Sequence, residues 1–267
     1  MRRKKKPLLL RPNTMYTDTH CHIHETELYE RSVAVDAYTR AREADVSTML
    51  CIGTNETSSE QAIEFAAAYS GCFAVVGVHP HDVKNGYAKV AELLQTNHST
   101  VVGVGEIGLD YYYNNSPRDA QITALEQQLQ WAHDFKLPVS FHVREAFSDF
   151  WPILANFPKT RGVVHSFTDT AENLEEALSR GLYVGLNGIS TFTKNHSQRD
   201  MYDSIPLDKI LLETDAPFLT PVPHRGKVNE PAFVRYIAAY HANRRDIGAE
   251  TFARTTSTNA SVLFSVS

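Results

Sequence analysis

The stretch DTHCH at residues 18–22, close to the N-terminus, has the pattern that decides the fold. It follows the short run MYT at residues 15–17, which can form a brief β-strand. Side chains two positions apart on a strand point to the same face, so we expect His20 and His22 to project together from the strand's end. Two imidazoles held in this way are half of a metal site, although an isolated His-x-His also occurs as two ordinary histidines.

Strand-like and helix-like segments alternate along the rest of the chain. Apolar, β-prone segments predict strands at 46–52, 72–78, 100–104, 138–141, 162–164, 182–186 and 209–212. Apolar residues at helical spacing predict helices at 32–45, 58–69, 88–95, 117–135, 146–156, 170–180, 231–243 and 249–264, and Ser58 is a plausible cap. Strands that alternate with helices imply parallel βαβ units. We therefore predict an α/β fold, a closed (β/α)₈ TIM barrel that forms a single domain over 15–267.

The composition is that of an ordinary globular protein. The chain has 267 residues, 42% of them hydrophobic and 21% charged, which suits one barrel of about 250 residues. A net charge of -5 argues against a generally basic surface that coats nucleic acid, but allows a local basic groove. Three scattered cysteines do not make a disulfide framework and fit the reducing cytoplasm. Charged residues on most helices favour a monomer.

The first 14 residues differ from the rest. They begin MRRKKKPLLLR and contain six of the 26 basic residues. Three leucines are too few for the apolar core of a signal peptide, which needs roughly 7–15 residues. We predict a basic, disordered arm over 1–14 without an assigned role. We also expect no association with a membrane, because no later stretch is long and apolar enough to cross one.

Side chains of metal-ligand type stand at the predicted carboxyl ends of several strands. They are His20 and His22 on the first strand, Glu106 on the fourth, His142 on the fifth, His165 on the sixth and Asp215 on the eighth. Each alone could be a helix cap or a core histidine, but the active sites of such barrels lie at this end of the strands. Imidazole with carboxylate suits Zn, Mn or Fe, and a bridging carboxylate allows two ions about 3.5–4 Å apart.

Other polar and aromatic residues are candidates for substrate contact. Arg144 and Arg225 can offer a guanidinium fork to phosphate, and Lys227 adds a cation near Arg225. His79, with His81 nearby, either contacts phosphate or belongs to loop structure set by the proline between them. For the run Tyr111-Tyr112-Tyr113 we expect packing against the following helix, with stacking on exposed bases as the alternative.

Several motifs together resemble those of one known family. In chain order they are DTHCH, GVHPHD, VGEIGLDYYY, PVSFHVREA, GVVHSF, LLETDAPFLTPVPHRGKVNEPA and TTSTNASVLF. They are similar to the TatD family of metal-dependent deoxyribonucleases, over about 16–266. The resemblance implies a TIM barrel of the amidohydrolase type and a divalent-metal phosphodiesterase that acts on DNA.

The resemblance also implies roles for the six candidate ligands. His20 and His22 would hold one ion, and His142 and His165 would hold the second. Glu106 would bridge both ions, and Asp215 would bind the first ion and help to deprotonate the attacking water. The implied cofactors are two divalent metal ions, Mg, Mn or Zn.

We therefore expect a deoxyribonuclease that hydrolyses phosphodiesters with a water activated by two metal ions. Its expected substrate is single-stranded DNA or frayed ends, and its expected mode is exonucleolytic. One alternative is an acyl hydrolase of the same fold, such as an amidohydrolase or a D-aminoacyl-tRNA deacylase, because the same ligands can activate water against an acyl carbon. Another is a non-catalytic binding module on the same barrel, which the complete ligand set argues against.

Overall fold

Eight parallel strands form one sheet whose hydrogen-bonded order follows the chain. The structure is a computed structural model that describes residues 15–96 and 99–266. The strands are β1 (Tyr16–Cys21), β2 (Val46–Ile52), β3 (Cys72–Val76), β4 (Val101–Asp110), β5 (Val139–Arg144), β6 (Gly162–Val164), β7 (Tyr183–Leu186) and β8 (Ile210–Leu212). The residues after β8 bond back to β1, which closes the ring. The predicted (β/α)₈ TIM barrel is confirmed.

Helices connect the strands and surround the barrel. They are α1 (Arg31–Glu43), α2 (Glu56–Ala68), α3 (Lys89–Thr96), α4 (Arg118–Phe135), α5 (Phe147–Ala155), α6 (Ala171–Ser179), α7 (Ile189–Phe192), α8 (His196–Ser204), α9 (Val234–Arg244) and α10 (Ala249–Phe264), with short 3₁₀ turns at Val83–Asn85, Leu207–Lys209 and Pro231–Phe233. We did not predict α7 and α8. The sequence of α8 is polar and buries only Met201 and Tyr202, so it lacks the apolar stripe that identifies a helix.

The predicted cap of α2 is wrong. The side chain of Asn55 accepts a hydrogen bond from the backbone N–H of Ser58 at 2.9 Å, so Asn55 is the capping residue. Ser58 lies in the first turn, where its hydroxyl donates to the carboxylate of Glu25 instead.

The strand β4 is longer than predicted, and the difference matters for the site. Its pairing with β5 continues as far as Asp110, so Glu106 lies inside the strand and not after it. Two glycines that look like a strand end in the sequence are the reason. A Cβ on Gly108 would lie 1.7 Å from the carbonyl oxygen of His142, and Gly105 also has a positive φ. Glycine therefore allows β4 to lie close against β5.

Apolar side chains fill the amino-terminal half of the barrel. One buried cluster joins residues from strands on different sides of the ring, which can meet only in its interior; it contains Leu50, Ile52, Val75, Val163 and Leu211. Leu263 and Phe264 of α10 belong to the same cluster, so the last helix closes this end. Because the interior is apolar and packed at one end, its polar side chains gather at the other, where the strands end.

Four predictions are not tested by this architecture. The basic arm over 1–14 lies outside the described residues, and the single domain over 15–267 stays a prediction. The monomeric state and the cytoplasmic location also stay predictions. Among the helices of the described residues, none combines the length and the apolar character needed to cross a bilayer.

Candidate metal centre

The seam between β1 and β8 brings three predicted ligands together. The backbone N–H of Asp215 donates to the oxygen of His20 at 2.8 Å, and the N–H of His22 donates to the oxygen of Ala216 at 2.9 Å. These bonds place the carboxylate of Asp215 beside both imidazoles, with its Oδ1 at 3.7 Å from Nε2 of His20 and 3.4 Å from Nε2 of His22. Asp215 has φ of 59°, in the left-handed region that few non-glycine residues adopt.

The carboxylate of Glu106 lies between two groups of imidazoles. Its Oε2 is 3.3 Å from Nε2 of His20. Its Oε1 is 2.9 Å from Nδ1 of His142, 3.8 Å from Nε2 of His165 and 3.9 Å from Nε2 of His79. The two oxygens of one carboxylate thus face different sides of the cluster, which is the arrangement that a bridging ligand requires.

Two of these imidazoles each have a further carboxylate at the ring nitrogen that points away from Glu106. Asp110 accepts a hydrogen bond from Nε2 of His142 at 2.9 Å, which leaves Nδ1 of that ring directed at Glu106. Oε1 of Glu213 lies 3.0 Å from Nδ1 of His165 and leaves its Nε2 directed at the cluster. A carboxylate behind a histidine fixes the ring's orientation and makes it a stronger ligand.

The electrostatic environment keeps the ligand carboxylates ionised. Burial alone would raise the pKa of Glu106, but the imidazoles of His20, His165 and His79 hold that pKa well below its usual range. Burial likewise opposes ionisation of Asp215, yet the hydrogen bond with His22 and the other imidazoles lower its pKa. Both carboxylates are therefore negatively charged at neutral pH and can act as ligands.

The donor set fits divalent cations. Three ligand atoms at about 2.1 Å from a tetrahedral ion lie roughly 3.4 Å from one another. The observed distances between Nε2 of His20, Nε2 of His22 and Oδ1 of Asp215 are 3.2, 3.4 and 3.7 Å. Mixed imidazole and carboxylate ligands suit Zn, Mn or Fe. Within the described residues, three groups of possible ligands have such spacing: His20, Glu106 and His165; His20, His22 and Asp215; and His79, Glu106 and His142.

A cavity of about 750 Å³ opens above this cluster. Five of the six predicted ligands line it, and the sixth, His20, is fully buried beneath. Of the residues predicted to contact substrate, His79 and Arg144 also line the cavity, whereas Arg225 and Lys227 do not.

Arg225 is engaged elsewhere. Its guanidinium lies 3.7 Å from the centre of the Phe192 ring and donates to the oxygen of Thr220 at 2.7 Å. These contacts hold the PHRGK segment against α7, and neither of its cations, Arg225 and Lys227, lines the cavity.

The tyrosine run packs only in part as predicted, and stacking on exposed bases stays a prediction. Tyr111 packs as predicted, and its hydroxyl donates to Asp149 at 2.8 Å. Packing is wrong for Tyr112 and Tyr113, which remain 54% and 55% exposed. The backbone of Arg144 pairs with Asp110 at the end of β4. Its guanidinium lies over both of these tyrosine rings at the cavity's edge.

Comparison with known proteins assigns the chain to a family. A family model described as TatD related DNase matches residues 17–265 of the chain. The chain belongs to the TatD-related DNase family. One relative is the uncharacterized metal-dependent hydrolase YabD of Bacillus subtilis (strain 168), 33% identical over 258 residues that cover 94% of this chain and 100% of YabD.

Other relatives agree with this assignment. The protein named 3'-5' ssDNA/RNA exonuclease TatD of Pantoea ananatis is 39% identical over 235 residues, 84% of this chain and 90% of that protein. The crystal structure of YjjV, a TatD homologue from Escherichia coli K12, matches with a TM-score of 0.86 and 27% identity, and covers 94% of this chain and 98% of that one. The resemblance predicted from the motifs is confirmed. As a TatD-family member, the chain is a metal-dependent hydrolase.

Sequence reasoning missed the carboxylates behind the ligands. They are Glu25, Asp110 and Glu213. It also missed Asp18, which binds Thr214 below the candidate ligands. Asp110 could have been found, because residues four apart on a strand share a face and Glu106 lies on the same strand. The assignment of His142 and His165 to one ion stays a prediction: both approach Oε1 of Glu106, but each also belongs to a different group of three possible ligands.

Proposed function

We propose that this TatD-family protein is a divalent-metal-dependent deoxyribonuclease that degrades single-stranded DNA or frayed ends exonucleolytically. The observation that supports it best is the placement of Glu106, whose two oxygens face separate groups of imidazoles. A bridging carboxylate of this kind belongs to sites with two ions, and we propose Mg, Mn or Zn as the pair. Such ions would lower the pKa of a shared water and neutralise charge on the phosphate.

Asp215 is the group that accepts the proton from the attacking water. Its carboxylate lines the cavity, and its lowered pKa keeps it ionised. The backbone bond to His20 fixes its position relative to the metal ligands, so the proton acceptor and the ligands move as one unit.

His79 acts as a hydrogen-bond donor to the phosphate and not as a ligand. Its Nδ1 accepts a hydrogen bond from the backbone N–H of His81 at 3.1 Å. A neutral imidazole that accepts at Nδ1 carries its proton on Nε2. Burial, together with His142, lowers the pKa of His79 well below its usual value and keeps the ring neutral. The Nε2–H therefore points towards Glu106, where a phosphate oxygen can accept it.

Arg144 supplies positive charge at the cavity's edge. It stands at the end of β5, next to His142, and its guanidinium is held in place by the two tyrosine rings beneath it. A cation at this position is suited to a phosphate of the strand that lies beside the one being cleaved. The name 3'-5' ssDNA/RNA exonuclease, given to a 39%-identical relative, supports a strand end as the substrate.

An acyl hydrolase is the second candidate. It is favoured by the position of Arg225 and Lys227, which do not line the cavity and so reduce the predicted phosphate-binding set to Arg144 and His79. An amide or ester substrate needs the activated water but fewer cations.

The deciding experiment is metal-dependent release of nucleotides from end-labelled single-stranded DNA. The protein is stripped with a chelator and refilled separately with Mg, Mn and Zn. We expect cleavage by wild type and by Glu126→Ala, an exposed carboxylate on α4, and none by Glu106→Ala or Asp215→Ala. The position of the label gives the direction of degradation. If no metal restores cleavage while p-nitrophenyl esters or D-aminoacyl-tRNA are hydrolysed, the acyl hydrolase is the correct assignment.

A further inference from the structure

An apolar ledge borders the cavity on the side of β8 and β1. It consists of Phe218, which follows β8, and Leu28, which follows β1. Phe218 is 47% exposed although it lines the cavity next to the metal ligands. Among the described residues its one ring contact is with the edge of His22, with centroids 6.5 Å apart. The exposed part of the phenyl ring can therefore receive a flat group in the cavity.

The backbone holds Phe218 rigidly beside the proposed proton acceptor. Its N–H donates to the oxygen of Asp215 at 2.8 Å, and its own oxygen accepts from the side chain of Asn229 at 2.6 Å. The same Asn229 amide group donates to the oxygen of Thr214 at 2.8 Å. An exposed ring on such a fixed support is preorganised for binding, because little conformational entropy is lost when a ligand stacks on it.

The opposite wall of the cavity has a different character. In a ring of eight strands in chain order, β4 and β8 lie across from each other. Tyr113 follows β4, and the guanidinium of Arg144 covers it at 4.8 Å from the ring centre. One wall thus offers a cation and the other an exposed aromatic ring. A nucleotide has the matching pair of groups, a phosphate and a flat base.

We propose that Phe218 is the stacking platform for an unpaired base next to the scissile phosphate, and that it makes the site select unpaired strands. This inference rests on the proposed deoxyribonuclease function. A base inside a duplex has both faces covered by its neighbours, whereas a base in a single strand or at a frayed end can turn onto the ring. Removal of one base–aromatic stack should lower affinity by roughly 5- to 100-fold.

The test is a double-mutant cycle that combines substitution of Phe218 with removal of single bases from the DNA. Fluorescence anisotropy measures binding to the metal-loaded full-length protein of a labelled phosphorothioate DNA hexanucleotide, which resists cleavage, and of six versions that each carry one abasic residue, at a different position. The variants are Phe218→Ala, Phe218→Trp and the control Val228→Ala, an exposed residue that does not line the cavity. We expect Phe218→Ala to lose affinity by the factor given above, and Phe218→Trp and Val228→Ala to bind like wild type.

The cycle distinguishes stacking from a general loss. If Phe218 stacks on one base, the abasic residue at that position weakens wild type as much as Phe218→Ala does, and weakens Phe218→Ala no further. The inference would be overturned if the loss of affinity from Phe218→Ala and the loss from the abasic residue were additive at every position. It would also be overturned if wild type bound a fully abasic strand as tightly as the intact strand. Failure of the proposed nuclease function has a separate signature, since wild type would then cleave no strand with any metal while the binding cycle still reports on stacking.

Discussion

Replacing Asp110 with asparagine tests whether the carboxylates behind the ligands determine metal affinity. Oδ2 of Asp110 accepts from Nε2 of His142 at 2.9 Å and lies 3.0 Å from Nε2 of His81, while Oδ1 accepts from the N–H of Tyr113 at 2.9 Å. Asparagine has nearly the same shape but no charge, and its amide nitrogen, which replaces one carboxylate oxygen, can only donate. One of these contacts must therefore be lost, and those that remain are no longer charge-assisted.

The magnitude follows from the hydrogen bond to His142. A hydrogen bond to a charged group contributes about 1.5–3 kcal/mol and a neutral one about 1 kcal/mol, so the substitution weakens this bond by about 0.5–2 kcal/mol. If the bond contributes only when His142 is oriented as a ligand, metal affinity falls by roughly 2- to 30-fold. Losses of this order are typical when a partner behind a ligand is removed, about 10- to 100-fold.

The assay is a competitive titration of the stripped protein with Mn or Zn against a chromophoric chelator, together with circular dichroism to confirm the fold. Asp149→Asn is the matched control, because Asp149 is a carboxylate that contacts the exposed Arg118 at 3.0 Å, away from the metal ligands. We expect wild-type affinity from the control. A folded Asp110→Asn variant with unchanged metal affinity would refute the reasoning, since His142 would then need no carboxylate behind it.

Three further predictions concern other parts of the molecule. Phe264→Ala removes the largest ring from the closed end of the barrel and should lower Tm by roughly 10 °C, whereas Val262→Ala on the exposed face of α10 should leave it unchanged in the same thermal scan. His79→Gln should reduce kcat on single-stranded DNA by about tenfold or more and leave metal affinity, measured by titration, within a factor of about two; a matching loss of affinity would make His79 a ligand. Chelation of wild type should lower Tm by about 5–10 °C relative to protein with metal at about 100 times its Kd, and Glu106→Ala should abolish that difference.

The alternation of strands and helices was sufficient to predict the barrel, because burial on both faces makes parallel strands uniformly apolar and easy to recognise. Prediction failed where this signal is absent. The helix α8 has few apolar residues, and the glycines of β4 indicate a strand end when each is considered alone. Only the close approach of β5, with His142 behind Gly108, shows why the strand must continue. That approach is a tertiary contact, which a local pattern does not contain.

The clustering of the six candidate ligands was predictable for a related reason: each lies in the carboxyl-terminal half of a recognisable strand or shortly after it, and these ends meet in a barrel. Their roles as ligands stay predictions. The groups that support them were harder to find. Glu213 and Asp110 contact rings that are far away in the sequence, and these partners become apparent only when the strands of the barrel are in place. The motif also could not predict the position of Arg225, because the sequence PHRGK does not show that the ring of Phe192 packs against the guanidinium.

The seam between β1 and β8 makes the site inseparable from the fold. The same backbone bonds that close the barrel, from Asp215 to His20 and from His22 to Ala216, set the distances between three ligands. Buried Asp18 crosses this seam and accepts from the hydroxyl of Thr214 at 2.6 Å, so the DTH and ETD segments are joined below the ligands as well. Changing a ligand side chain should therefore remove metal and activity with little loss of the fold. A change at Asp18 or Thr214 should affect both, because it releases the backbone that holds the ligands in place.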